Sequence, residues 1–170
     1  MGDRIVVMKD GVIQQADTPK TLYNSPCNVF VAGFIGSPQM NFMDAVVVKL
    51  ADGYGVRFGE STIPVHEGRF PKEVMAKYEG KTVILGIRPE DFHTEDAFIQ
   101  MSADDALTVD VDIAELMGAE VYIYAQYGND RLIVRAPARI QPKSGERLTL
   151  AIDKNKMHLF DKETEYAIGV

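Results

Sequence analysis

Glu120-Val121-Tyr122-Ile123-Tyr124-Ala125-Gln126 alternates aliphatic and polar or aromatic residues without a break. Strand neighbours point to opposite faces, so Val121, Ile123 and Ala125 are expected on a core and Tyr122 and Tyr124 outside it. The same period recurs on either side. Thr108 to Leu116 sets Val109, Val111 and Ile113 against Asp110 and Asp112, and Thr82 to Ile87 puts Val83, Leu85 and Ile87 on one face. Gly128-Asn129-Asp130 turns the chain into Leu132-Ile133-Val134. Leu148, Leu150 and Ile152 share a further face, and Met157-His158-Leu159-Phe160 ends the series. Upstream, Phe42–Leu50 is an apolar run, Asp52-Gly53-Tyr54-Gly55 reads as a turn into Val56-Arg57-Phe58, and Pro64 confines Thr62–Val65 to an edge. Short strands at this spacing predict a mainly β barrel or sandwich. Pro71–Lys77 is the one clear helix among them, closed near Gly80.

The first 38 residues read differently. Ile5–Met8 and Val12–Gln14 flank Asp10-Gly11, a hairpin turn signal. Thr18-Pro19 predicts a capped helix that stops before Pro26, and Asn28 caps a second over Val29–Ile35. Ser37-Pro38 marks a break. So short a stretch is not expected to make a core of its own, and its apolar residues (Ile5, Val7, Phe30, Phe34) should dock on the β-domain, pair with another copy or fray. The organisation expected is therefore 1–38 as a remnant of another domain with its linker helices, and 39–170 as the β-domain.

Charge and composition exclude much. The 170 residues carry 18 Lys and Arg against 25 Asp and Glu, a net −7. That balance argues against nucleic acid or an anionic bilayer as a partner. From Pro89 to Asp130 there are eleven carboxylates and no Lys or Arg, which reads first as a solvated face. A single cysteine, Cys27, rules out an internal disulfide and suits a reducing compartment. No run reaches the ~20 apolar residues of a membrane-spanning helix, and no signal peptide is visible at the start. Glu79-Gly80-Lys81-Thr82 mimics the end of a phosphate-binding loop, but Met75 replaces the required glycine and the order is helix to strand. His93 has Asp91, Glu95 and Asp96 beside it, a composition commoner on an exposed loop than at a metal. No nucleophile, base and orienter set is present, so no catalytic or metal site is predicted.

Three stretches together carry a family resemblance. Gly2–Gly11 resembles the last hairpin of the ATPase domain of an ABC-transporter ATP-binding subunit. Pro19–Pro38, with Leu22-Tyr23, Pro26 and Phe30-Val31-Ala32-Gly33-Phe34-Ile35-Gly36, resembles the linker helices of the carbohydrate-importer branch. Gly86-Ile87-Arg88-Pro89-Glu90-Asp91, Glu115–Glu120 and His158-Leu159-Phe160-Asp161 resemble its regulatory domain, an OB-like module called TOBE. The family's phosphate-binding loop, magnesium-holding acidic strand, Ser-Gly-Gly signature and switch histidine are not in this sequence. The resemblance implies a regulatory and dimerising part of an importer subunit, cytoplasmic and peripheral at the inner face of the membrane through its permease partners. ATP and magnesium belong to the resembled full-length subunit, and no cofactor is assigned to any residue here. Implied partners are a second copy, the parent ATPase domain, the permease subunits and a cytoplasmic regulator. Tyr122, Tyr124, Arg88 and Glu90 are the expected dimer or regulatory surface. The rival reading is a free-standing oxyanion- or sugar-binding β-module, which the net −7 disfavours.

Overall fold

A computed structural model describes residues 2–102 and 105–169. The chain opens on a hairpin of β1 (Ile5–Lys9) and β2 (Val12–Asp17). Its turn residues Asp10 and Gly11 both have positive φ, 49° and 79°, as a two-residue turn matched to strand twist requires. Helices α1 (Pro19–Asn24) and α2 (Val29–Phe34) follow with the expected caps. Thr18 Oγ1 accepts from the Thr21 amide at 3.2 Å and Asn28 Oδ1 from the Val31 amide at 2.9 Å.

The rest is β-structure. In order come β3 (Asn41–Leu50), β4 (Gly53–Phe58), β5 (Ser61–Pro64), α3 (Lys72–Met75) with a 3-10 turn at Ala76–Tyr78, and β6 (Thr82–Ile87). A 3-10 turn at Pro89–Asp91 leads into β7 (Phe92–His93) and α4 (Asp96–Met101). Then come β8 (Leu107–Met117), β9 (Glu120–Tyr127), β10 (Asp130–Pro137), β11 (Arg147–Ile152), β12 (His158–Asp161) and β13 (Ala167–Ile168). They form two antiparallel sheets, β13-β12-β6-β3-β4-β5 and β10-β9-β8-β11-β7. A shared core lies between them, drawing Val47, Val56, Leu85 and Ile87 from one sheet and Val109, Ile123, Val134 and Leu150 from the other. The mainly β, barrel-like architecture is the one the alternation predicts, with Pro64 on the edge strand β5.

Four details depart from the sequence reading. Ile113 was expected inward but is 51% exposed, because β8 carries a bulge: Val111 opposes Ala125, and the next pair is Ile113 with Tyr124. One extra residue, Asp112, turns every later side chain of a period-two strand to the other face. The turn after β3 is shorter than expected, since Leu50 already pairs with Gly53, and Tyr54 and Gly55 lie within β4. The segments β7, α4 and β13 had no local signal; α4 has no side-chain cap and the two strands are two residues each. Finally, the opening segment does have a small core, with Val7, Leu22 and Val31 buried together. It is also tied down: Ala32 packs with Met40 and Phe160, and the Val29 amide donates to Glu165 O at 3.0 Å. The outer face of the hairpin stays bare, with Val6, Met8, Val12 and Ile13 each at least half exposed.

Candidate functional site

Arg88 sits between the end of β6 and the Pro89 turn, in the extended conformation that the residue before a proline favours (φ −73°, ψ 149°). Its side chain leaves the β-domain and runs under the linker helices, where it is only 2% exposed. Nη1 donates to Ile35 O at 2.8 Å and Nη2 to Tyr23 O, while the guanidinium lies 3.6 Å from the centre of the Tyr23 ring. Both carbonyls belong to helix ends, where no intrahelical amide remains to pair with them and where the helix dipole favours a cation. A planar fork of donors suits two carbonyls at a fixed spacing better than an ammonium does. Burial pulls the Arg88 pKa down to about 10, against the opposing pull of Asp91, so it stays charged at neutral pH. Any part that Arg88 takes in the expected dimer or regulatory surface therefore runs through these helix ends, to which both Nη atoms are bonded. Glu90 is half-buried in the following turn, where its charge acts on Asp91.

Next to Arg88 a cleft of about 420 Å³ separates Tyr23, Asn24 and Ser25 of the linker from Arg69, Asp91, Lys156 and His158 of the β-domain. Burial, reinforced by Glu90, pushes the Asp91 carboxyl up to about 6. His158 is buried and held neutral, its pKa pulled down to about 3 by burial and then by Arg69, Arg88 and Lys156. Sequence reading did not find this cleft, since residues 23, 69, 88 and 156 share no spacing.

The second feature is the outer face of β9. Tyr122 and Tyr124 point away from the core, half-exposed, as the alternation predicts, while Val121, Ile123 and Ala125 are buried. Tyr122 is flanked across the strands by Glu115 and Arg135, and Tyr124 by Ile113 and Ile133. Alongside lies a groove of about 740 Å³ reaching to Met40 and Phe42. The bulge in β8 is what brings Ile113 to this face.

No group of three His, Cys, Asp or Glu side chains converges among the described residues. His93 instead pairs with Glu95 at 3.5 Å and stacks on Phe98 at 3.9 Å. Gly80 follows the 3-10 turn with φ +75°, in line with a helix stop. No helix among the described residues is long and apolar enough to cross a membrane.

Residues 36–92 match the MalK OB fold domain and residues 85–160 the TOBE domain. The two matches overlap on the strand and turn that carry Arg88, and they define the class: an OB fold of the MalK type continued by a TOBE domain. The chain is 47% identical over 168 residues to the oligosaccharides import ATP-binding protein MsmX of Bacillus subtilis. It is 39% identical over 171 residues to the trehalose/maltose import ATP-binding protein MalK of Thermococcus litoralis, and 38% over 178 residues to the multiple sugar-binding transport ATP-binding protein MsmK of Streptococcus mutans. Each alignment takes in 99% of this chain but only 45%, 45% and 46% of the respective relative. The chain therefore spans under half the length of these relatives. It corresponds to the C-terminal part of sugar-importer ABC ATP-binding subunits. Among solved structures, the cytoplasmic molybdate-binding protein ModG shares the fold with a TM-score of 0.55 at 16% identity, over 70% of this chain and 94% of that one.

Proposed function

We propose that this chain is the regulatory and pairing part of the ATP-binding subunit of an ABC importer for sugars. It keeps two subunits together while their ATPase domains open and close, and it passes regulatory input to ATP-driven uptake. The observation that carries this reading is the continuity of the match, which runs through the opening hairpin and linker helices as well as the β-domain. A free-standing β-module has no need of those first 38 residues, so that reading is not favoured.

Arg88 supplies a physical route for the coupling. It bonds the ends of both linker helices from a residue anchored in the β-domain core, so a displacement of one unit is felt by the other. Such a link biases an open–closed equilibrium only if its contacts differ between the two states. We place the division between the two units at 38/39, with the bare outer face of the hairpin meeting the rest of the ATPase domain. The remaining partners in this reading are the transmembrane permease subunits, which put the protein at the inner face of the membrane, and a cytoplasmic regulator; nucleic acid is not among them.

Two measurements test it. Titration of the chain with Mg-ATP in a calorimeter should be flat, since no residue here is assigned to ATP or magnesium; micromolar binding would contradict the reading. Light scattering after size exclusion should give a dimer at tens of micromolar, through the Tyr122–Tyr124 face. Tyr122→Ser combined with Tyr124→Ser should weaken that dimer by about 100-fold or more, as expected of two aromatic anchors at an interface centre. A monomer in the unmodified chain rejects the pairing role, whereas a dimer indifferent to both substitutions rejects this face.

A further inference from the structure

We propose that the cleft between α1 and the β-domain binds a small phosphorylated anion, with Arg69, Arg88 and Lys156 taking the phosphoryl group. This goes beyond the pairing role and does not depend on it.

Positive charge converges on the cleft. Of the fifteen Lys and Arg elsewhere, six pair with carboxylates among the described residues and nine do not, so convergence rather than the lack of a pair sets this cavity apart. Arg69, Arg88 and Lys156 come from three distant segments to line one cavity, and none of them forms an ion pair among the described residues. In a chain of net −7, three cations converging on one cavity are a local concentration of positive charge, set against Asp91 and the nearby Glu90 and Asp153. Asp91 is the carboxylate lining the cleft, with Glu90 and Asp153 acting on it from nearby, and burial raises its pKa to about 6.

Donors on the cleft wall are also unfilled. With both Nη atoms committed to the linker carbonyls, Arg88 keeps Nε, which is buried and has no hydrogen-bond partner among the described residues. A buried donor left unpaired is costly unless something fills it. Arg69 is half-buried and, among the described residues, bonds only through Nη1, to Asn155 O at 2.6 Å, which leaves most of its fork unused there. Guanidinium forks and an ammonium are the groups that hold phosphoryl oxygens most strongly.

Size indicates what else the ligand carries. A cleft of about 420 Å³ far exceeds the roughly 10–15 Å³ that one water needs on the same measure, and is larger than a bare phosphate requires. Asn24, Ser25 and Asn155 add neutral hydrogen-bonding groups suited to hydroxyls, so a monosaccharide-sized polar body fits beside the phosphoryl group. Because one wall is linker and the other β-domain, an occupant would fasten the two together.

Calorimetry on the chain with glucose 6-phosphate, inorganic phosphate and glucose as probes tests the assignment. Glucose 6-phosphate should bind more tightly than inorganic phosphate, and glucose should give no heat. Equal affinity for the first two assigns the cleft to the phosphoryl group alone, with the same cations holding it. Lys156 is exposed and forms no ion pair among the described residues, so Lys156→Gln should fold normally and weaken binding by roughly tenfold. Asp91→Asn should tighten it by removing the negative charge on the cleft wall. On binding, amide exchange at residues 23–25 should slow. Absence of heat from both phosphate probes up to about 20 mM, or binding unchanged in Lys156→Gln, overturns the proposal.

Discussion

Replacing Arg88 with methionine should cost about 3–5 kcal/mol of stability and free the linker helices from the β-domain. Methionine fills similar length but cannot donate, so Ile35 O and Tyr23 O are left without their partner and the contact with the Tyr23 ring is lost. Each orphaned buried acceptor costs roughly 1–3 kcal/mol, and a desolvated cation–π contact adds about 1–2. Urea unfolding measures the loss. Limited proteolysis locates it, with faster cutting expected between Gly33 and Asn41 while the β-domain still resists. Arg88→Lys should recover only part of the stability, since one ammonium cannot reproduce both contacts and the stacking. A Met variant within 1 kcal/mol of the parent, cut at the same rate, would refute the clamp (the threshold is about the error of such comparisons).

Asn41→Leu should be nearly as damaging, by roughly 2–4 kcal/mol, for a different reason. Asn41 is 7% exposed at the start of β3 and joins the two sheets. Its Nδ2 donates to Ile87 O at 3.1 Å and to Ile133 O at 2.9 Å, and its Oδ1 accepts from the Ile133 amide at 2.7 Å. Ile133 lies on β10, the edge of its sheet, so these groups have no further strand to pair with. The side-chain amide stands in for that strand. Asn41→Asp is the sharper variant, being nearly isosteric: it retains an acceptor but points a carboxylate at two carbonyls, and should lose as much as Leu. Hydrogen exchange at the Ile133 amide reports the contact directly. Protection of that amide unchanged in Asn41→Leu would show that something else satisfies it.

Neither residue announces this role in the sequence. Asn41 follows Pro38 and precedes an apolar run, where an asparagine ordinarily reads as loop. Arg88 stands in a motif whose resemblance pointed to the regulatory domain but not to a buried position. The burial of Arg88 is not legible there because arginine is usually exposed, and the neighbouring helix ends are what make it favourable. Tyr122 and Tyr124, by contrast, were placed on the correct face from alternation alone, because the apolar partners on the other face are unbroken from Val121 to Ala125.

What the sequence determined by itself is what depends on the local repeat of the backbone. The faces of β6 and β9, the Asp10-Gly11 turn, the Thr18 and Asn28 caps and the edge position of Pro64 each follow from a few adjacent residues meeting a fixed geometry. Tertiary structure decided what requires separate stretches to meet. The bulge at Asp112 belongs to the register that β8 takes against β9, and it carried Ile113 outward. The clamp of Arg88 on carbonyls 53 and 65 residues away, and the convergence of Arg69, Arg88 and Lys156, arise only once the sheets have closed around their core. Periodicity records which way a side chain points from its own strand; what it meets there is fixed by packing, which no spacing along the chain encodes.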